Sequence, residues 1–167
     1  MSALQSDPEP RFQVDAMLVK LGKYLRCLGY DAAWDERAST RDAARHAETD
    51  GRVLVTRNTR LGEEIPSPAL AVVLSDDDPV RQLAILIEEF GLETRARLFT
   101  RCIRCNVPLE RCTDAGLLRE RVPANVLRLY RAFYRCPACS TVFWKGSHVR
   151  NTCRKLGLEP PEEGVGG

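Results

Sequence analysis

Two C-x-x-C pairs are the residues of this chain whose type and spacing most directly imply chemistry. Cys102-Ile103-Arg104-Cys105 and Cys136-Pro137-Ala138-Cys139 stand thirty residues apart. Each pair can form a tight turn with both sulfurs on one side, and tetrahedral Zn2+ takes four such thiolates. The spacing therefore predicts a zinc ribbon whose ion is enclosed by protein and structural in role. Three cysteines remain. Cys27 sits at helical spacing among leucines and reads as a small buried hydrophobe. Cys112 and Cys153 are alternative or supplementary ligands, although neither belongs to a paired spacing. His148 reads as a zinc ligand, a phosphate contact or a structural donor.

Carboxylates offer a second chemistry. Mg2+ and Mn2+ prefer oxygen ligands, and such ions activate water and offset the charge that builds on a phosphate during displacement. Asp15 is the first candidate, an acid just after an apolar stretch, with helix N-cap as its alternative role. Asp35, Glu36 and Asp42 are further candidates, each equally readable as a cap or a surface charge. Asn58 holds the corresponding place after a later strand.

These residues need elements to position them. Arg11 to Val14 reads as a strand ending at Asp15. Leu18, Leu21, Leu25 and Leu28 predict an amphipathic helix with Lys20, Lys23 and Arg26 on its polar side, stopped by Gly29. Tyr30 to Trp34 is a second strand. Ser39-Thr40-Arg41-Asp42 predicts a capped helix start, and that helix holds Ala43, Ala44 and Ala47 before ending near Gly51. Arg52 to Thr56 is an almost continuously apolar strand, as buried parallel strands are. Pro66 and Pro68 mark a loop, Leu70 to Leu74 a strand, and Asp76-Asp77-Asp78-Pro79 the start of a helix reaching Phe90. Alternation of this kind predicts an α/β fold with a parallel sheet flanked by helices, whose ligands bind beyond the carboxyl ends of its strands. That edge would gather Asp15, Asp35 and Asn58. Neither G-x-G-x-x-G nor G-x-x-x-x-G-K-[ST] occurs, so a dinucleotide or P-loop site has no support.

Between the cysteine pairs, a helix is expected over roughly Pro123 to Phe133. Leu127, Tyr130 and Phe133 would lie inward, with Arg128 and Arg131 outward. Gly146-Ser147-His148 reads as a short polar loop. The predicted organisation is a disordered leader over 1–10, an α/β domain over 11–98, the ribbon over 99–155 and a disordered tail over 156–167.

Charge divides the same way. Residues 1–94 carry 11 Lys/Arg against 17 Asp/Glu, whereas 95–155 carry 14 against 3. A basic metal module attached to an acidic body suggests a polyanion held by one part and acted on by the other. Arg57, Arg101, Arg104, Arg111, Arg128, Arg131 and Arg135 suit bidentate phosphate contacts. Lys145 and His148 extend that set, and Phe143 and Trp144 offer stacking faces or ribbon core. The longest apolar run, Ala69 to Leu74, is far below the roughly 20 residues of a membrane span. With no evident signal peptide and seven cysteines, a cytoplasmic protein without a disulfide framework is expected.

Several motifs together resemble the Mut7-C family. They are Phe12-Gln13-Val14-Asp15, Leu25-Arg26-Cys27-Leu28-Gly29-Tyr30-Asp31 and Arg52-Val53-Leu54-Val55-Thr56-Arg57-Asn58. Arg101-Cys102-Ile103-Arg104-Cys105-Asn106 and Cys136-Pro137-Ala138-Cys139 with Trp144-Lys145-Gly146-Ser147-His148 complete the series, over about residues 11 to 155. The resemblance implies a PIN-like nuclease domain joined to a zinc ribbon, metal-dependent ribonuclease activity, and Asp15 as the first acidic position. RNA is the implied partner, with tRNA or ribosome-associated RNA as the expected kinds. One departure matters: the family's Thr-Arg-Asp is Thr56-Arg57-Asn58 in this chain. An amide oxygen can coordinate a cation but brings no charge, and Glu63 or Glu64 would have to compensate. The alternative expectation is an RNA- or ribosome-binding module without catalysis. A third is a purely protein-binding ribbon.

Overall fold

The computed structural model describes residues 9–65 and 70–161. Most of the expected leader, part of the expected tail and the loop at Pro66 and Pro68 lie outside the described residues. The chain divides into two compact units, Met1–Leu25 with Tyr30–Phe90, and Arg26–Gly29 with Gly91–Gly167.

The first unit is a four-stranded sheet flanked by helices. Its elements are β1 (Phe12–Val14), a 3-10 turn (Ala16–Leu18), α1 (Val19–Cys27), β2 (Ala32–Ala33) and α2 (Thr40–Asp50). They continue with β3 (Val53–Thr56), α3 (Leu61–Glu64), β4 (Ala71–Val73) and α4 (Pro79–Phe90). The strand order is β2-β1-β3-β4 and every pairing is parallel. Every residue of β1 and β3 is buried, which is why their sequences lack polar alternation. Phe12 meets Tyr30 and Phe90 edge-on, with ring centroids 6.3 and 5.5 Å away. Ala43, Ala44 and Ala47 of α2 pack with Leu54 and Leu61 in one buried cluster.

Local chemistry fixes the ends of these elements. Ser39 and Asp42 form the expected capping box: the Asp42 N–H donates to Ser39 Oγ at 3.2 Å, and the Ser39 N–H to Asp42 Oδ2 at 3.3 Å. The Ser39 hydroxyl also donates to that carboxylate and holds Asp42 below its ordinary range. Asp31 takes a bidentate pair from Arg52, at 2.6 and 3.1 Å, beside the first residues of β1 and β3.

The second unit holds a small antiparallel sheet, β5 (Glu110–Arg111), β6 (Tyr134–Arg135) and β7 (Val142–Phe143), with α5 (Ala115–Arg121), α6 (Ala124–Leu129) and α7 (Ser147–Leu156). One buried cluster in it is Cys112, Val122 and Phe133, ringed by partly buried side chains including Leu127, Tyr130, Val142 and Trp144.

Three expectations are corrected here. The helix expected over 123–133 is the shorter α6 (Ala124–Leu129), and an unexpected helix, α5, precedes it and ends at Val122, which is extended before Pro123. Tyr130 is extended and ends α6, so Phe133 is buried from outside any helix. Gly146-Ser147-His148 is no loop: Gly146 is the N-cap of α7, which buries Val149 and Cys153 four residues apart. Arg26 does not share the exposed side of α1 with Lys20 and Lys23, being only 6 % exposed. Among the described residues, no helix is long and apolar enough to cross a membrane.

Gly29 sits at φ +90°, where a Cβ would lie 2.5 Å from the Arg97 carbonyl oxygen. Gly29→Ala is expected to destabilise the protein by more than about 1 kcal/mol, and Ser39→Ala by about 1 kcal/mol. Denaturant unfolding of both variants checks this; a Gly29→Ala midpoint equal to wild type would contradict it.

Candidate functional site

The two cysteine turns are copies of each other. The Cys105 N–H points at Cys102 Sγ (3.5 Å) and the Cys139 N–H at Cys136 Sγ (3.4 Å). Asn106 and Ser140, each one residue past its pair, donate to the carbonyls of Cys102 and Cys136 at 2.9 Å. Both adopt left-handed backbone, φ 62° and 58°. The turns close when the N–H groups of Cys102 and Cys136 reach Val107 and Thr141. As a result, the four sulfurs lie within 4.8 Å of one another, with Cys102 Sγ 3.9 Å from Cys139 Sγ. Zinc–sulfur bonds of about 2.3 Å give tetrahedral edges of about 3.8 Å, so the donor set fits a metal such as zinc.

Neighbouring groups share the protons of this cluster unequally. The hydrogen bond between Cys139 and Thr141, at 3.2 Å, brings the Cys139 thiol down to about 6. Hydrogen bonding to Cys139 pushes Cys105 up to about 12. A bound divalent cation would displace all four protons. The remaining cysteines are not among the clustered sulfurs. Cys112 belongs to the apolar core, while burial pushes Cys27 up to about 12 and raises Cys153 as well. His148 is also outside the cluster and exposed.

Sequence patterning missed Arg26. Its guanidinium donates to the carbonyls of Ile103 (2.7 Å) and Arg104 (3.1 Å), the two residues between the first cysteine pair. Burying a guanidinium costs several kcal/mol, and each bond to a carbonyl returns about 1.5–3 kcal/mol. A zinc tetrathiolate, with net charge −2, is a fitting counter-charge. The one available signal was a cation set between Leu25 and Cys27-Leu28-Gly29.

In the first unit, Asp15 follows β1 at the carboxyl edge of the sheet and is 2 % exposed. Its Oδ2 accepts from the hydroxyls of Thr56 (2.6 Å) and Thr40 (2.8 Å). Thr40 is the first residue of α2, so the carboxylate sits at the positive end of that helix. Thr56 Oγ1 in turn accepts from the Asn58 N–H at 3.0 Å, which links Asp15, Thr56 and Asn58 in one chain. The Asn58 side-chain oxygen accepts from the Arg60 N–H. Asp35 accepts locally from Arg37, and Asp42 closes the capping box. Asp15, Asp35 and Asp42 thus lie at separate hydrogen-bonding centres; among the described residues, the cysteines form the one cluster of potential metal ligands. Glu63 pairs with Arg60 and is exposed, while the Glu64 side chain lies outside the described residues. The threonine hydroxyls were overlooked; the signal was a threonine closing an otherwise apolar strand.

The basic candidates separate by environment. Arg57, Arg104, Arg128 and Arg131 are exposed. Arg101 is half-buried, and its guanidinium donates to the carbonyls of Gly29 and Asn106. Trp144 packs on Phe133, with centroids 6.4 Å apart. Trp144, Lys145 and His148 line a cavity within the second unit.

Comparison with known families and proteins gives one match. The family described as Mut7-C RNAse domain matches residues 10–156. No curated protein and no solved structure matches the chain.

The purified protein is expected to carry one zinc ion at the cysteine cluster, lost in Cys136→Ser and retained in Cys112→Ala. Because the ligands must be deprotonated, retention falls as pH falls. Arg26→Met should weaken zinc binding about 10–100-fold, measured by competition with a chromophoric chelator. Unchanged affinity would show that Arg26 is merely packed there.

Proposed function

The chain belongs to the Mut7-C RNAse domain family, and from that premise we propose that it is a metal-dependent endoribonuclease. In this proposal the nuclease domain spans 11–98 and is built on Asp15. The ribbon, over 99–155, holds the RNA. The observation that carries the reading is the buried Asp15 carboxylate at the sheet's carboxyl edge, oriented by Thr40 and Thr56. Parallel sheets place their chemistry at that edge.

Mg2+ or Mn2+ is the cofactor this site suits, since such ions keep several waters and need only one or two protein carboxylates. When bound, the ion acidifies an attacking water and offsets charge on the scissile phosphate. The chain's own residues do the rest. Both threonine hydroxyls donate to Oδ2 of Asp15, which fixes the carboxylate plane and leaves Oδ1 outside that pair of bonds. Asn58, tethered to Thr56 through its backbone N–H, brings no charge to the site, and Asp35 and Asp42 are assigned supporting roles. Arg57, Arg104, Arg128 and Arg131 are exposed and suited to phosphates, with Trp144, Lys145 and His148 as further RNA contacts. Arg101 is engaged by two carbonyls and has the weakest case among them. Seven free cysteines suit a reducing compartment, and we assign the protein to the cytoplasm.

A second reading has its own observation. Asp15 has no carboxylate partners close enough to form a metal cluster among the described residues, and Asn58 is neutral. A chain that binds RNA without cutting it would look like this.

Cleavage of a labelled structured RNA in Mg2+ or Mn2+ separates the two. The enzyme reading expects cutting that stops in Asp15→Ala and in excess EDTA, and that rises in Asn58→Asp. Cutting that appears only in Asn58→Asp would make the native chain a binding module. RNA affinity should fall steeply between 50 and 200 mM salt, by about tenfold or more, if several phosphates are contacted; salt-independent binding would remove the arginines from the interface.

A further inference from the structure

The second unit holds a half-open cavity of about 600 Å3, whose lining includes the RNA-contact candidates Trp144, Lys145 and His148. That volume falls within the roughly 300–1,000 Å3 of small-molecule sites. Its walls are unlike in character. Part of the lining is aromatic: Tyr134 and Phe143 are direct partners across β6 and β7, and Tyr130 and Trp144 also line the cavity. These rings are held in place from outside the cavity. The Arg111 guanidinium lies 5.7 Å from the Tyr134 ring centre, and Trp144 packs on Phe133. Gly146 leaves the room Trp144 needs, since a Cβ there would lie 2.7 Å from its Nε1.

Polar and cationic groups also belong to the lining. Lys145, Gly146, Ser147, His148 and Val149 all line the cavity, and they are the entry and first turn of α7. That ten-residue helix has no side-chain cap at Gly146 and no acid in its first turn. Its leading N–H groups and positive dipole end are therefore available to an anion, beside the Lys145 ammonium. Leu129, 71 % exposed, adds an apolar side chain to the lining.

Flat aromatic walls joined to an anion-binding corner describe a ligand with a planar ring at one end and a negative charge at the other. We propose that this cavity binds a single unpaired nucleotide of an RNA strand. The base lies against Tyr134, Phe143 and Trp144, and its phosphate lies at Lys145, His148 and the start of α7. The proposal rests on the reading of the second unit as the RNA-holding part. The charge of that region, 14 Lys/Arg against 3 Asp/Glu over residues 95–155, favours a polyanion over an apolar peptide. A base engaged in pairing cannot enter such a site, so the cavity selects single strands, and stacking makes it tolerant of sequence.

The test uses the zinc-loaded full chain. The sequence has two tryptophans, Trp34 and Trp144, so Trp34→Phe leaves Trp144 as the sole indole reporter. A single-stranded RNA ten-mer is expected to quench its fluorescence. A nucleoside 5′-monophosphate should do so at higher concentration, and inorganic phosphate alone should not. Tyr134→Leu and Phe143→Leu keep apolar bulk but lose the ring, and each should weaken single-strand affinity roughly tenfold with duplex affinity and zinc content unchanged. If both variants bind the single strand like wild type while Arg128→Gln and Arg131→Gln weaken it, the cavity proposal falls and the RNA-holding reading stands. A cavity built for a peptide would give that same result. Absence of RNA binding by the wild-type chain overturns both. Should the leucine variants lose zinc, the monophosphate titration of Trp34→Phe decides, and no quenching sinks the proposal.

Discussion

Holding four cysteine sulfurs within 4.8 Å of one another is the constraint on which the second unit depends. Its strands are two residues each, and the buried cluster beside them holds three side chains with a partly buried ring. A three-stranded sheet this short is marginal in water, and small folds of this kind rely on a metal or covalent staple. Binding of zinc to a site absent from the unfolded chain is folding free energy outright. The rest of the unit follows from it. An ion held by these sulfurs would supply cohesion that α5 and α6, with Arg119, Arg121 and Arg128 in solvent, do not, and would lie near the first cysteine turn to which Arg26 donates.

The first unit works by the opposite means. Its cohesion is apolar: Phe12, Leu21, Leu25, Leu54 and Leu86 are almost completely buried, each contributing about 1.5–3 kcal/mol by leaving water. Such a core can tolerate a polar group only where hydrogen bonds compensate it. Asp15 meets that condition through Thr40 and Thr56. The hydroxyls come from two different elements, so the carboxylate is oriented by the fold itself instead of by one flexible loop.

Elements whose signal is local were legible in the sequence. The capping box at Ser39, the glycine stop at Gly29, the continuous apolar strand at Val53 to Thr56 and the paired cysteines all declare themselves within a few residues. Features that depend on distant partners were not. Arg26 carries the spacing of a solvent-facing lysine, and only carbonyls more than seventy residues away reveal its place. The apolar spacing of Leu127, Tyr130 and Phe133 ran on past Tyr130, where the backbone is extended and α6 ends. The start of α7 was hidden by its glycine, although Val149, Cys153 and Leu156 keep helical spacing afterwards. Of the acids, Asp15 was identifiable by its position after a buried strand, whereas the roles of Asp35 and Asp42 came from neighbours two and three residues away.

The duplicated cysteine turns also bear on the order of events during folding. Each turn closes over four residues and can form early, giving a pair of thiolates able to capture an ion before the other pair has arrived. Joining the two requires closing a thirty-residue loop, at an entropy cost of about 3 kcal/mol beyond a constant term. Until that closure, α5 and α6 have no fixed frame to pack on. If the four sulfurs hold zinc, metal availability at the moment of synthesis would act as a kinetic control on the second unit.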